Sequence, residues 1–355
     1  MSPSSGTRLP EGGAAPGAPG EGVQAPLPPR LVVLAAGKGG VGRSLLAANA
    51  AVHLAKEGHK VVLFDADLGN CNLHTLLGIE APERTMDDFV HKRVDTLNAL
   101  VAPTKIANLG LVSAARDPVS AASLKHGSRT RLFAHLAHLT ADFVVVDTPV
   151  GTGLTTLDLF NQADCPIVVT AATPLATERM WRFLCAAFIR AALRLGPPAA
   201  ARALLEEAFD AAPGRPAPTP GALCRAAKAV DAACGDALEA ARARFRPALV
   251  VNEARTKADT ELGEAIRMLA RDRLEIELEV LGTLAHDEAA WISVSRRRPV
   301  VLEAPDAPVT EQIVGVAHRV LARLGGSERR LSEPAPGGAS GGAGAGAGGA
   351  EAEAR

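Results

Sequence analysis

Gly37, Gly42 and Ser44 stand at the fixed positions of the spacing G-x-x-x-x-G-x-[ST], with Lys38, Gly39, Gly40 and Val41 between the glycines and Arg43 before the serine. Glycines at this spacing let successive backbone N–H groups point inward around phosphate oxygens, and a following helix N-terminus adds a favourable dipole. A serine hydroxyl at the end of such a loop can ligate Mg²⁺. The usual residue at position 43 is lysine; arginine keeps the charge and can grip phosphate through two nitrogens, but its planar fork is bulkier than an ammonium. Further along lie Asp65 and Asp67 in VVLFDAD, Asp147 in FVVVD and Asn252 in ALVVNE. Carboxylates can hold a metal ion or orient water, and an asparagine offers both a donor and an acceptor to a purine edge. Aspartate and asparagine at these points also cap turns, and that plainer reading stays open.

Each of these residues follows a short apolar run. LVVLAA (31–36), VVLFDAD (61–67), LGLVSA (109–114), FVVVD (143–147), PIVVTAA (166–172), ALVVNE (248–253) and VLGTLA (280–285) recur between longer stretches of helical pattern. This alternation predicts an α/β fold with a mostly parallel sheet, and runs that are apolar at almost every position predict helices on both faces. Ligands of such a sheet sit beyond the carboxyl ends of its strands, where Gly37–Ser44, Asp65, Asp67, Asp147 and Asn252 all fall. LLAANAAVHLAKE (45–57) reads as the helix behind the glycine-rich loop, ended by Gly58. Between about 174 and 247 the pattern is helical, broken by APGRPAPTPG, and reads as a helical insertion before the last strands. Residues 1–29 and 326–355 are rich in Gly, Pro, Ala and Ser and are expected to be disordered tails around one domain spanning 30–325.

Four motifs in order resemble the MinD/ParA class of P-loop ATPases, with its three-layer fold. KGGVGRS is similar to that class's deviant phosphate loop, VVLFDADLGNCNLHTLLG to its two-aspartate segment, FVVVDTPVGTG to its switch segment, and VVNEAR to its asparagine strand. Within the class, DADLGNCNLHTLLGI and DEAAWISVSRRRPVVLEAP resemble the flagellar-number regulators of the FlhG/FleN branch. The resemblance implies ATP and Mg²⁺ as ligands and a homodimer sandwiching ATP, in which Lys38 reaches the partner's phosphates. It implies Ser44, Asp147 and Asp65 around the metal, Asp67 at the attacking water, Asn252 at the base, and slow ATP hydrolysis by Lys38, Asp67 and Asp147. Two segments depart from the class: its T-P-E-P-T appears as AATPLAT (171–177), and its P-x-D as AHD (285–287).

Composition narrows the alternatives. With 38 basic against 39 acidic residues, no global field draws the chain to DNA or anionic lipid, and Arg296, Arg297 and Arg298 form the densest basic cluster. A ParA-type DNA-segregation role would need more basic surface than that. Five scattered cysteines without a C-x-x-C pair argue against an iron–sulfur scaffold, and a chain without tyrosine excludes a self-phosphorylating tyrosine kinase. No apolar run is long enough to span a bilayer and no secretory signal is visible, so the expected location is cytoplasmic. Attachment to the inner face of the plasma membrane, as in the MinD branch, would require an amphipathic helix near the C-terminus. EQIVGVAHRVLARLG (311–325) aligns Ile313, Val316, Val320 and Leu324 on one stripe, but its place matches the last core helix. The expected function is an ATP-dependent dimerisation switch for positioning a cellular structure, its cargo and regulatory partner open; a nucleotide-binding scaffold without turnover is the alternative.

Overall fold

The computed structural model describes residues 27–80, 82–114, 126–210 and 218–325. Most of both expected tails therefore lies outside the described residues. Eight strands form one sheet: β1 (Arg30–Ala35), β2 (Val61–Asp65), β3 (Ala102–Pro103), β4 (Leu109–Val112), β5 (Phe143–Asp147), β6 (Cys165–Ala171), β7 (Ala248–Ala254) and β8 (Glu279–Ala285). Their order across the sheet is β3-β4-β2-β5-β1-β6-β7-β8. All neighbours run parallel except the two-residue edge strand β3, which pairs antiparallel with β4.

The unbroken apolar strands follow from cover on both faces. Val32 and Leu34 of β1, Val145 of β5, Ile167 and Val169 of β6 and Val250 of β7 turn to one face. There they meet α1 (Arg43–Lys56) and the last helix of the described chain. Val33, Val144, Val146, Val168, Leu249 and Val251 turn to the other. Each fully buried side chain of this size contributes roughly 1.5–3 kcal/mol, so both faces drive the sheet's assembly.

The covering helices are α1, α2 (Leu73–Leu76), α3 (Met86–Val90), α4 (His126–Leu136), α5 (Leu154–Gln162), α6 (Pro174–Arg194), α7 (Ala199–Phe209), α8 (Pro220–Val230), α9 (Ala232–Arg244), α10 (Lys257–Leu269), α11 (Glu288–Ser295), α12 (Val300–Glu303) and α13 (Pro308–Gly325). Four of them, α6 to α9, fill the interval between β6 and β7. Their starts are written locally: Thr173 caps α6 before Pro174, Thr219 caps α8 before Pro220, and Asp231 accepts from Ala233 N and Cys234 N to cap α9. These helices share a core with α5 and β7 built around Phe160, Phe183, Phe188 and Leu238.

In α13 the stripe of Ile313, Val316, Val320 and Leu324 is buried against α1 and the sheet. That stripe belongs to the core, so these four side chains are not presented outward by the helix. Among the described residues, no helix is long and apolar enough to cross a membrane.

Candidate nucleotide site

The glycine-rich loop closes between the end of β1 and the start of α1, as its composition requires. Gly42, the residue before α1, holds φ 80° and Gly40 holds φ 75°, both in the left-handed region that side chains disfavour. Gly37 is glycine for a different reason. A Cβ there would run into the backbone carbonyl of Arg179, in α6. At Gly42 a Cβ would meet the side-chain amide of Asn252. The loop is thus packed from behind and open in front, with Gly39, Gly40 and the Lys38 ammonium at the surface. Lys38 Nζ donates to the Gly39 carbonyl at 3.2 Å.

Sheet register gathers the carboxylates. Asp147, the last residue of β5, aligns with Leu34 of β1 on one side and with Asp65, the last residue of β2, on the other. Ala66 N donates to the Asp147 carbonyl at 2.8 Å, and Thr148 Oγ1 donates to the Leu34 carbonyl at 3.0 Å, which locks the strand ends together. Asp65 Oδ1 accepts from Asp67 N at 3.1 Å, and its Oδ2 accepts from Asn72 N at 3.2 Å and Leu73 N at 3.3 Å. Asp67 Oδ1 accepts from Asn70 N at 3.2 Å. Burial, and the Asp147 charge beside it, push the Asp65 carboxyl up to about 8, overriding its backbone donors. Burial likewise raises Asp147, against the pull of the Arg43 guanidinium and the Ser44 hydroxyl.

Arg43 is the unexpected member. Its side chain is 7% exposed and folds inward: Nε donates to Asp147 Oδ1, and Nη2 lies 3.6 Å from Asp67 Oδ2. The third nitrogen, Nη1, is buried without a partner. A buried guanidinium nitrogen left unsatisfied is costly, and an anionic oxygen is the kind of acceptor that satisfies it. The site therefore fits a nucleotide phosphate on its own chemistry, beyond the loop's glycines.

The remaining expected residues are placed as follows. Asn252, in β7, donates from Nδ2 to the Val41 carbonyl at 2.9 Å; its Oδ1 and second N–H are left for another group. Thr173 of AATPLAT caps α6, accepting from Ala176 N at 3.4 Å. Asp287 of AHD caps α11 through Ala289 N at 2.8 Å and accepts from Val309 N at 3.3 Å. Arg296 and Arg298 both pair with Glu303, far from the loop in sequence. Sequence reasoning missed the Arg179 carbonyl behind Gly37 and the Asn72 and Leu73 amides on Asp65. Backbone groups leave no mark in residue type, although Asn72 at the head of α2 is a turn signal. A cavity of about 560 Å³ opens at the opposite end of the sheet, lined by Asp164, Arg194, Arg246, Glu279 and Arg323 among others. None of Gly37–Ser44, Asp65, Asp67 or Asp147 lines it.

Residues 29–186 match the ParA family, described as "NUBPL iron-transfer P-loop NTPase". The chain is 32% identical over 158 residues to the flagellum site-determining protein YlxH of Helicobacter pylori, covering 41% of this chain and 50% of that protein. It is 30% identical over 148 residues to the antiactivator FleN of Pseudomonas aeruginosa, covering 41% and 52%. The chain thus spans about half the length of the curated relatives it matches. In fold it is similar to the septum site-determining protein MinD of Pyrococcus horikoshii, solved with Mg-ADP, with TM-score 0.55 and 20% identity over 82% of this chain and 97% of that one. With the loop and the paired strand ends, residues 29–186 thus match the ParA family of P-loop NTPases, and the fold is similar to that of MinD.

Proposed function

We propose that the protein binds ATP at the Gly37–Ser44 loop and acts as a dimerisation switch of the ParA/MinD kind, positioning or counting a cellular structure. The observation that carries this reading is the convergence of the loop, Asp65, Asp67 and Asp147 on one sheet end, with the buried Arg43 Nη1 left to satisfy. Backbone N–H groups of the loop and the N-terminus of α1 would hold the phosphates. Ser44, Asp147 and Asp65 are the residues that would hold Mg²⁺, which supplies charge neutralisation on the phosphate oxygens when bound. Asp67 would orient the attacking water, and Lys38, at the surface, would reach across to phosphates bound by a second copy. Asn252 braces the loop and keeps an acceptor and a donor for the base. The relatives' names, a flagellum site-determining protein and an antiactivator, favour a regulatory or spatial role for the switch.

Arg43 sets the pace of this cycle. Asp147 cannot serve a cation fully while a guanidinium occupies it, so metal loading requires the Arg43–Asp147 pair to open and Arg43 to turn toward phosphate. That exchange predicts slow turnover. It also favours a second reading, a nucleotide-binding scaffold in which the pair never opens and hydrolysis does not occur. Arg296 and Arg298 are spent on Glu303, which works against a ParA-type DNA surface there.

The deciding experiment measures ATP binding, turnover with Mg²⁺ and light-scattering mass for the native protein, Arg43→Lys and Asp67→Ala. The switch reading expects slow native turnover, faster turnover in Arg43→Lys, and an ATP-held dimer without turnover in Asp67→Ala. Binding without turnover or dimer formation in all three would establish the scaffold instead, and no ATP binding at all would overturn both.

A further inference from the structure

Far from the phosphate loop, at the other end of α1, three ligating side chains meet. His53 lies in the last turn of α1 and Glu57 follows it one turn later, just past the helix end. His318 comes from the middle of α13, which packs beside α1. The His53 and His318 Nε2 atoms are 3.3 Å apart, and both face Glu57 Oε1, at 3.1 Å and 2.7 Å respectively. The two rings meet edge to face at 64°. These three atoms form the one group of histidine, cysteine or carboxylate ligands among the described residues arranged closely enough to share a metal ion.

The triangle has the dimensions of a coordination face. Zinc–nitrogen bonds of about 2.0–2.1 Å place two ligand atoms on a tetrahedral ion about 3.3 Å apart. Two of the three observed edges are already within a few tenths of an ångström of that figure. The third, between His318 and Glu57, is a hydrogen bond that opens by about half an ångström to admit the ion. Two imidazoles and one carboxylate are a donor set that zinc favours, and a solvent-facing side remains for a fourth ligand because His318 is 54% exposed. Burial holds the His53 imidazole below its ordinary titration range, and the His318 hydrogen bond holds the Glu57 carboxyl below its own, so both offer the ligating form at neutral pH. Neither group takes any part in the nucleotide site.

We propose that His53, Glu57 and His318 form a divalent transition-metal site of zinc type that ties α1 to α13. An ion there joins the helix whose first residues hold the phosphate loop to the last helix of the described chain.

The test uses the full-length protein, stripped with chelator, titrated with Zn²⁺ against a chromophoric competitor, and repeated with His318→Ala and Glu57→Gln. His318→Ala removes a largely exposed side chain, and cooperative thermal unfolding of each variant in chelator verifies its fold. The expected result is a site filled in the native protein and weakened in each variant by at least the roughly 10–100-fold that loss of even an outer-shell partner costs. Zn²⁺ should raise the native melting temperature and leave that of His318→Ala unchanged, and Co²⁺ in place of zinc should give the visible absorption of a tetrahedral site in the native protein alone. Equal zinc affinity in native protein and both variants overturns the assignment, as does a native protein that takes up no ion.

Discussion

Arginine meets carboxylate in two opposite settings in this molecule. At the surface, Arg296 and Arg298, each more than half exposed, share Glu303 at the foot of α12. Under the phosphate loop, Arg43 sits between Asp147 and Asp67 with all three side chains almost sealed from water. The surface group gains little because water and salt screen it. The buried one is held together because each charge, alone, would be intolerable there. The difference teaches that the densest basic cluster in a sequence need not be the arginine that matters; a single arginine in a buried loop can carry more.

Removing Arg43 should therefore show the largest effect. Arg43→Ala leaves Asp147 and Asp67 buried without their cation, and urea unfolding at pH 8 is expected to show a loss of about 3–5 kcal/mol. The loss should shrink toward pH 5. Arg43 pulls the already raised Asp147 carboxyl downward, so without it that carboxyl rises further; a raised acid is tolerated while protonated, and its stability is lost as pH climbs through the folded-state value. Equal losses at both pH values would break the contrast.

Asp65 sharpens it next. With its carboxyl moved from 3.8 to about 8 in the folded state, its contribution is full below about pH 4 and falls as pH rises across that window. The slope is at most about 1.4 kcal/mol per pH unit. Asp65→Asn should flatten the pH dependence of nucleotide-free stability by that component. Whatever the amide costs against the Asn72 and Leu73 N–H groups is independent of pH, so the slope is the readout. Gly37→Ala comes third: its Cβ meets a main-chain carbonyl, and forced repacking of that kind costs typically about 1–3 kcal/mol, with nucleotide affinity expected to fall in the same titration. Smallest of all, Arg296→Ala and Arg298→Ala should each change stability by no more than about 1 kcal/mol, and by less in high salt.

The sheet was largely legible because strands covered on both faces announce themselves as continuous apolar runs, and seven of the eight strands begin within two residues of such a run. The exception, Ala102–Pro103, is two residues long and pairs at the edge, where no pattern can accumulate. The site was legible as a set of residue types at strand ends. What stayed hidden was who pairs with whom. Arg43 reaches Asp147 only because β1 and β5 are neighbours with Leu34 opposite Asp147, and that adjacency belongs to the sheet order rather than to any local signal. The same holds for His318, which meets the i,i+4 pair of α1 from 265 positions away. Residue spacing predicts local geometry; a partner this distant is chosen by packing.

The contact between Gly37 and α6 is made by a main-chain carbonyl, that of Arg179. Any amino acid at position 179 presents the same oxygen; proline is unsuitable only because it would bend the helix. Exposed positions of the four-helix segment can therefore vary and still seat the loop, so long as its buried core keeps the helix on its line. What the loop demands of its neighbour is a trajectory, and the spelling is left open.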